Sequence, residues 1–250
     1  MHVLSGGCSV IEPHEGEWRF EGAWRFRTPI STRMGAKCLA QTESRYATGL
    51  SPGRRNPSSD EVHYVVAGSG QCFIDGFGYP VESGSAMFVP KGSEFTIENE
   101  NDSEILVVSV TCPGEPGEKE AQYPLVPRTV PLTSYHAPAR VVNERDRAEV
   151  QSGGGTLRVL ADKDLGCEGV TPFIARVPRG ASAHADAFER AIYVLEGSGI
   201  LRAGNDTAPF RPGTSIHLPP RARHSLENPS FQAVGLLGVL YPPGTPADCL

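Results

Sequence analysis

This chain contains two copies of one sequence pattern. Residues 64–70 read YVVAGSG, and residues 193–199, which lie 129 positions later, read YVLEGSG. The same spacing relates Gly84 to Gly213, Pro90 to Pro219, and Asn99 to Asn228. Agreement at this many turn-forming positions, without a gap, predicts that one structural unit occurs twice in the chain.

Each copy of the repeat consists of short strand-like segments. Aromatic and β-branched residues at 62–66 and 191–195 are followed by glycines, which is a hairpin signal. Glycine (28 residues) and proline (22 residues) interrupt the chain too often for long helices. The sequence therefore predicts an all-β protein with one sandwich or small barrel for each copy.

The repeat also divides the chain into three parts. Residues 1–115 are predicted to hold an N-terminal arm and a first barrel, and residues 156–250 a second barrel. Residues 116–155 are rich in proline at first and end in a run of glycines, so they are predicted to be a linker that can donate a strand to one barrel.

Charge and composition exclude several classes of protein. The net charge is −6, and no basic patch is present to attract nucleic acid. No apolar run approaches the roughly 20 residues of a membrane-spanning helix. The N-terminal residues lack a basic segment followed by an apolar one, which predicts a cytoplasmic protein. The 6 cysteines form no CxxC pair and are predicted to be reduced and mostly buried.

The second copy contains a longer pattern that indicates a family. It reads His184-Ala-Asp186, then Arg190, then YVLEGSG, then Pro219-x-x-x-x-His224-x-x-x-Asn228. This resembles the two motifs of the cupin superfamily, which are His-x-His followed by Glu, and Pro-x-Gly-x-x-His-x-x-x-Asn. Since the repeat extends the resemblance to both copies, the chain is similar to a bicupin. A degenerate first barrel with a metal-bearing second barrel is similar to the ureidoglycine aminohydrolase type. The resemblance implies two tandem double-stranded β-helix (jelly-roll) barrels.

The residues of this pattern are predicted to form a metal site in the second barrel. Residues two apart on a strand share a face, so His184 and Asp186 would both point inward. His224 follows a proline turn on another strand and would complete the ligand set. Imidazole and carboxylate groups suit Fe, Mn, Zn, Ni or Co, and three protein ligands leave positions open for substrate. In the alternative, the barrel is metal-free and Asp186 forms an ion pair with Arg190.

Three neighbouring residues have their own interpretations. Arg190 stands where the family has Glu and cannot bind a cation; it is predicted to hold a carboxylate or phosphate, or to balance Asp186. Glu189 would face outward in a regular strand and would reach the metal only through a bulge. His217 is a candidate general acid or base that lines the cavity, or else a structural histidine.

The first copy lacks this ligand set. At a spacing of 129 residues, Arg55 replaces His184 and Phe95 replaces His224, and only Glu61 retains a ligand type. The first barrel is therefore predicted to be metal-free. Two interpretations remain for it, namely a structural and dimerisation module, or a second small-molecule pocket lined by Arg54, Arg55, Glu61 and His63.

The resemblance implies an enzyme of small-molecule metabolism. The predicted function is that of a metal-dependent bicupin enzyme acting on a small polar or anionic metabolite, with oxygenase, lyase, isomerase and hydrolase chemistry left open. The alternative is a metal-free binding or sensor protein. The predicted partners are a small-molecule substrate and a second copy of the chain, because dimers are common in the family. The candidate catalytic residues are Arg190 and His217, and the candidate metal ligands are His184, Asp186 and His224.

Overall fold

A computed structural model describes residues 1–112, 137–184 and 187–246, and for residues 181–184 it describes the backbone alone. These residues form strands and four short 3-10 turns, and they contain no α-helix. The prediction of an all-β chain is therefore confirmed. Among the described residues, no helix has the length and apolar character needed to cross a bilayer.

The strands before residue 113 are β1 (His2–Val3), β2 (Ser9–Ile11), β3 (Arg19–Glu21), β4 (Trp24–Ile30), β5 (Ala40–Tyr46), β6 (Gly49–Leu50), β7 (Arg54–Arg55), β8 (Asp60–Ala67), β9 (Ser69–Ile74), β10 (Phe77–Glu82), β11 (Ser85–Val89), β12 (Glu94–Asn99) and β13 (Ile105–Cys112). The strands after residue 136 are β14 (Val141–Asn143), β15 (Val150–Ser152), β16 (Gly155–Val159), β17 (Thr171–Val177), β18 (Gly180–His184), β19 (Glu189–Glu196), β20 (Gly199–Ala203), β21 (Asp206–Phe210), β22 (Ser215–Leu218), β23 (His224–Asn228) and β24 (Val234–Tyr241). The 3-10 turns are Ser5–Gly7, Thr32–Met34, Glu144–Asp146 and Lys163–Leu165.

Each copy of the repeat forms a barrel from two sheets. The first barrel has a seven-stranded sheet in the order β14-β11-β8-β13-β5-β4-β3 and a five-stranded sheet that contains β10, β9, β12, β6 and β7. The second barrel has an eight-stranded sheet in the order β1-β2-β22-β19-β24-β17-β16-β15 and a four-stranded sheet in the order β18-β23-β20-β21. The strands that pair within the described chain are antiparallel, as the resemblance to jelly-roll barrels implied.

The repeated Gly-Ser-Gly sequence has a direct structural cause. Gly68 and Gly197 have φ values of +89° and +77°, which a residue with a Cβ atom rarely adopts. A Cβ atom at Gly70 would lie 2.4 Å from the carbonyl oxygen of Glu98, and one at Gly199 would lie 2.3 Å from that of Glu227. Both glycines of each copy are therefore required by the turn and by the close approach of the next strand.

The two barrels share a buried contact between their large sheets. On β19, Ile192 and Val194 pack into the core of the second barrel, while Ala191 and Tyr193 pack against the first barrel. Residues of β8 alternate in the same way, with Val65 in the core of the first barrel. Both faces of these central strands are thus buried, which explains their nearly continuous apolar sequences.

The first eleven residues of the N-terminal arm do not belong to the first barrel, whereas β3 and β4 do. Strand β2 pairs with β22, so the first residues of the chain extend the large sheet of the second barrel. Cys8 and Val10 pack into the core of that barrel. In the other direction, β14 pairs with β11 of the first barrel. Part of the predicted linker, residues 116–136, lies outside the described residues.

The described cysteines bear on the prediction of reduced, buried thiols. None of the five described cysteines is in a disulfide; four are buried and Cys38 is partly exposed. Burial raises the pKa of Cys8 to about 11, despite a backbone hydrogen bond that lowers it. Cys249 lies outside the described residues. The four buried thiols therefore behave as small core side chains.

Candidate functional site

His224 is the first residue of β23, and its ring is held in one orientation. The side chain is buried, and Nδ1 lies 2.8 Å from the carbonyl oxygen of Ala222. A carbonyl can only accept, so Nδ1 donates and Nε2 retains its lone pair. Strand β23 pairs with β18 so that His224 lies opposite the backbone of His184. The ring therefore presents an acceptor nitrogen inside the second barrel.

Asn228, the last residue of the second cupin-like motif, supports this strand. Its Nδ2 donates to the carbonyl oxygens of Val177 and Gln232, at 3.1 Å and 2.8 Å. The equivalent Asn99 of the first copy also bonds two backbone carbonyls, those of Tyr46 and Ser103. The asparagine of the motif thus holds its strand to neighbouring backbone and is not a residue of the candidate site.

Arg190 points into the second barrel, as its position in the motif predicts. It is buried, and its cross-strand neighbours Leu218 and Leu240 belong to the core of that barrel. Its Nη1 lies 3.4 Å from Nε2 of His224. A permanently charged guanidinium therefore lies beside the acceptor nitrogen of His224.

The side-chain positions of two predicted metal ligands are not described by the structure. The side chain of His184 and all of Asp186 lie outside the described residues. Among the residues that the structure does describe, no three His, Cys, Asp or Glu side chains converge to hold a metal ion. The structure thus brings together two of the predicted site residues, His224 and Arg190.

Of the two interpretations of His217, the structure favours the structural histidine. Its cross-strand neighbour Ala191 packs between the two barrels, whereas the adjacent Ile216 and Leu218 pack inside the second barrel. Nε2 of His217 lies 2.9 Å from Oε1 of Glu189. His217 therefore faces the first barrel and not the interior of the second barrel, where His224 is buried. Alternation in the sequence Ile216-His217-Leu218 carries this signal, because the histidine must face away from both apolar neighbours.

Glu189 also faces the contact between the barrels, so it is not a ligand in the second barrel. Its Oε1 and Oε2 accept hydrogen bonds of 2.7 Å from the backbone amides of Lys37 and Cys38, in the first half of the chain. Burial raises the pKa of Glu189, but the hydrogen bonds from His217 and these amides outweigh it, and the pKa is lowered overall. The carboxylate is thus held ionised between the barrels.

The register of the strands changes the correspondence between the two copies. In the second barrel His184 lies opposite His224, and in the first barrel Arg54 lies opposite Phe95. His184 is therefore equivalent to Arg54, one residue before the position that constant spacing predicts. Arg55 lies at the surface and pairs with Glu94, so it does not belong to any pocket inside the first barrel.

Arg54 occupies the interior of the first barrel. Its Nη1 donates to the hydroxyl of Tyr46 at 2.8 Å, and Nη2 lies 3.8 Å from Oε2 of Glu61. Glu61 in turn lies 2.8 Å from Nε2 of His63. The guanidinium carbon is 4.3 Å from the ring centre of Phe95, on which the ring of His63 is also stacked. A compact group of buried ionisable side chains thus stands where the second barrel has His184, Arg190 and His224.

Comparison with known proteins shows what the second copy of the repeat is similar to. Residues 173–239 match the family model described as Cupin domain. An uncharacterized protein of Methanocaldococcus jannaschii is 32% identical over 60 residues, which cover 24% of this chain and 48% of that protein. The matched segment thus spans about half the length of this curated relative.

Solved structures of oxalate decarboxylase, several of them from Bacillus subtilis, are similar over most of the chain. One, which addresses proton-coupled electron transfer, has a TM-score of 0.75 and 15% identity, and the match covers 94% of this chain and 78% of that chain. Another, which addresses Mn(II) centers, has a TM-score of 0.76 and 16% identity with the same coverage. At these identities the likeness concerns the fold. The predicted resemblance is confirmed, since the chain contains a cupin domain at residues 173–239 and has the fold of a bicupin.

Proposed function

We propose that this chain is a metal-dependent bicupin enzyme acting on a small anionic metabolite, with a divalent metal held by His184, Asp186 and His224. The observation that supports the proposal is the orientation of His224. A metal-binding histidine characteristically donates its other ring N–H to a carbonyl or carboxylate, as Nδ1 does here toward Ala222. The backbone pairing of His184 with His224 supports a second ligand from the adjacent strand.

Arg190 supports an anionic substrate. A divalent cation near a buried guanidinium is repelled unless negative charge is present, and Asp186 would supply a single unit. A carboxylate or phosphate group of the substrate would supply further negative charge, and its oxygens would match the two parallel N–H donors of the guanidinium. The surrounding core residues Leu218 and Leu240 would keep water away from this ion pair. When bound, the metal would act as a Lewis acid toward an oxygen of the substrate.

A metal-free anion-binding protein is the second candidate function. One observation favours it, namely the distance of 3.4 Å between Nη1 of Arg190 and Nε2 of His224. In this arrangement the lone pair of His224 accepts a hydrogen bond from the guanidinium rather than binding a cation. Arg190 and His224 together would then recognise the ligand.

The test is elemental analysis of protein purified without a histidine tag. We expect about one metal ion per chain in the wild type and in the control His2→Ala, whose side chain is exposed. His184→Ala and His224→Ala are each expected to lose most of this metal. Mn(II) and small dicarboxylates, with oxalate among them, are the first probes, because structurally similar proteins are oxalate decarboxylases with Mn(II) centers.

The opposite result is equally informative. Absence of metal after reconstitution with Fe(II), Mn(II) and Zn(II) would overturn the proposal. The second candidate would then predict that calorimetric titration with oxalate or phosphate shows binding in the wild type. Arg190→Lys, which keeps the charge but loses the planar fork, is expected to weaken that binding at least tenfold.

A further inference from the structure

We propose that strand β3 pairs with β3 of a second copy of this chain, which joins the large sheets of two first barrels in a two-fold symmetric dimer. Strand β3 is the last strand of the seven-stranded sheet, so one side of its backbone has no neighbouring strand among the residues that the structure describes. An unpaired edge of this kind is a ready template for another strand.

The side chain at the centre of β3 favours a covered edge. Phe20 is 69% exposed, although a phenylalanine at a free edge is an aggregation risk for a monomer. Two other edge strands also expose an apolar residue, Val3 on β1 and Val150 on β15. The charges around Phe20 distinguish β3 from both of them.

The hairpin between β3 and β4 determines which backbone groups face outward. Glu21 lies opposite Trp24 and Arg19 lies opposite Phe26, with a two-residue connection between the strands. In such a hairpin the residues that flank the connection form a hydrogen-bonded pair, and every second pair does the same. Glu21 and Arg19 therefore bond to β4, and the N–H and C=O groups of Phe20 point away from the sheet.

This arrangement fits a symmetric antiparallel pair. With Phe20 on the two-fold axis, its outward N–H and C=O groups meet the same groups of the second copy. Arg19 then lies opposite Glu21 of the second copy, and Glu21 opposite Arg19, so both flanking pairs join opposite charges. The two Phe20 side chains cover each other at the centre.

Sedimentation velocity from about 1 to 200 μM protein tests the proposal, since a strand of this length forms a small interface. We expect a reversible dimer of the wild type. Phe20→Ser is expected to weaken it at least tenfold. The control Phe231→Ser, which changes another exposed phenylalanine in the loop before β24, is expected to leave it unchanged.

A charge exchange distinguishes this pairing from other dimers. Arg19→Glu places two carboxylates opposite each other, and Glu21→Arg places two guanidinium groups opposite each other, so each single change is expected to weaken the dimer. The double exchange R19E/E21R restores both opposite pairs and is expected to recover most of the affinity. Circular dichroism of each variant verifies folding. A monomeric wild type, an unaffected Phe20→Ser dimer, or a double exchange no better than the single changes would each overturn the proposal.

Discussion

Glu189 and Arg190 are adjacent in sequence, yet they belong to different environments. Arg190 reaches into the second barrel toward His224, whereas Glu189 is held between the barrels by His217 and two backbone amides. Consecutive side chains of a strand point to opposite faces. A shift of one position along β19 therefore moves a side chain from the candidate site to the contact between the barrels. The Glu189 interactions hold the strand from which Arg190 projects.

Replacing Glu189 by Gln tests this contact. The pKa of Glu189 lies below its ordinary value of 4.5 in the folded protein. Its contribution to stability is therefore complete above that value and is lost as the pH falls through the lower, folded-state pKa. We expect Glu189→Gln to lower the free energy of unfolding by about 1–3 kcal/mol at pH 7. The deficit should shrink below about pH 4, where the wild type is losing the same contribution.

Urea denaturation at pH 7 and below pH 4 measures this difference. Glu82→Gln is the matched control, because Glu82 pairs with Arg145 at the surface and such a pair contributes about 0–1 kcal/mol. A deficit that is equal at both pH values would show that the ionised carboxylate is not the stabilising form.

Strands β7 and β18 show why a constant spacing of 129 residues matched His184 with Arg55 instead of Arg54. From His184 to Arg190 there are six positions, and from the equivalent Arg54 to Glu61 there are seven. The additional residue lies between Arg54 and Asp60, the first residue of β8. Loops tolerate such insertions, whereas the paired strands keep their register.

The N-terminal segment that includes β2 contributes side chains to the core of the second barrel. Val10 and Leu4 are buried in the core of the second barrel, although they come from the first residues of the chain. Burial of such side chains contributes about 1.5–3 kcal/mol each, so deletion of residues 1–11 is expected to lower the free energy of unfolding by about 3 kcal/mol or more.

Hydrogen exchange locates the effect of this deletion. Amides of β22, the neighbour of β2, are expected to lose more protection than those of β9 in the first barrel. The control Val3→Ser changes an exposed side chain of the same arm and should alter stability by less than about 0.5 kcal/mol. Unchanged protection of β22 would contradict the pairing.

The contact between barrels makes one body of the two copies. Val62, Phe88 and Val110 of the first barrel share a buried cluster with Ala191 and Val239 of the second. A second cluster joins Tyr64 and Val108 to Tyr193 and Leu237 (these lie on the same central strands). Neither large sheet can be exposed without exposing apolar surface of the other.

Differential scanning calorimetry tests this cooperation. We expect one unfolding transition in which the calorimetric and van't Hoff enthalpies agree. Ala191→Glu places an unpaired charge at the centre of the contact and is expected to lower Tm and to separate the unfolding of the barrels. Two transitions in the wild type would show that the barrels unfold independently.

The repeat, the turn glycines and the motif around His224 and Arg190 could be identified from the sequence, because each depends on local geometry. Strand alternation, positive φ angles and proline turns act over a few residues, so they predict two all-β barrels without any tertiary information. They place Arg190 inward only if the strand is regular, and the structure decides between Arg190 and Glu189. The role of His217 could not be predicted from such local patterns. Alternation indicates that it lies on the face opposite Ile216, but not what covers that face. Here the first barrel covers it, and Glu189 meets His217 together with amides about 150 residues earlier in the chain. Contacts of that separation follow from how two barrels pack, which no local pattern encodes.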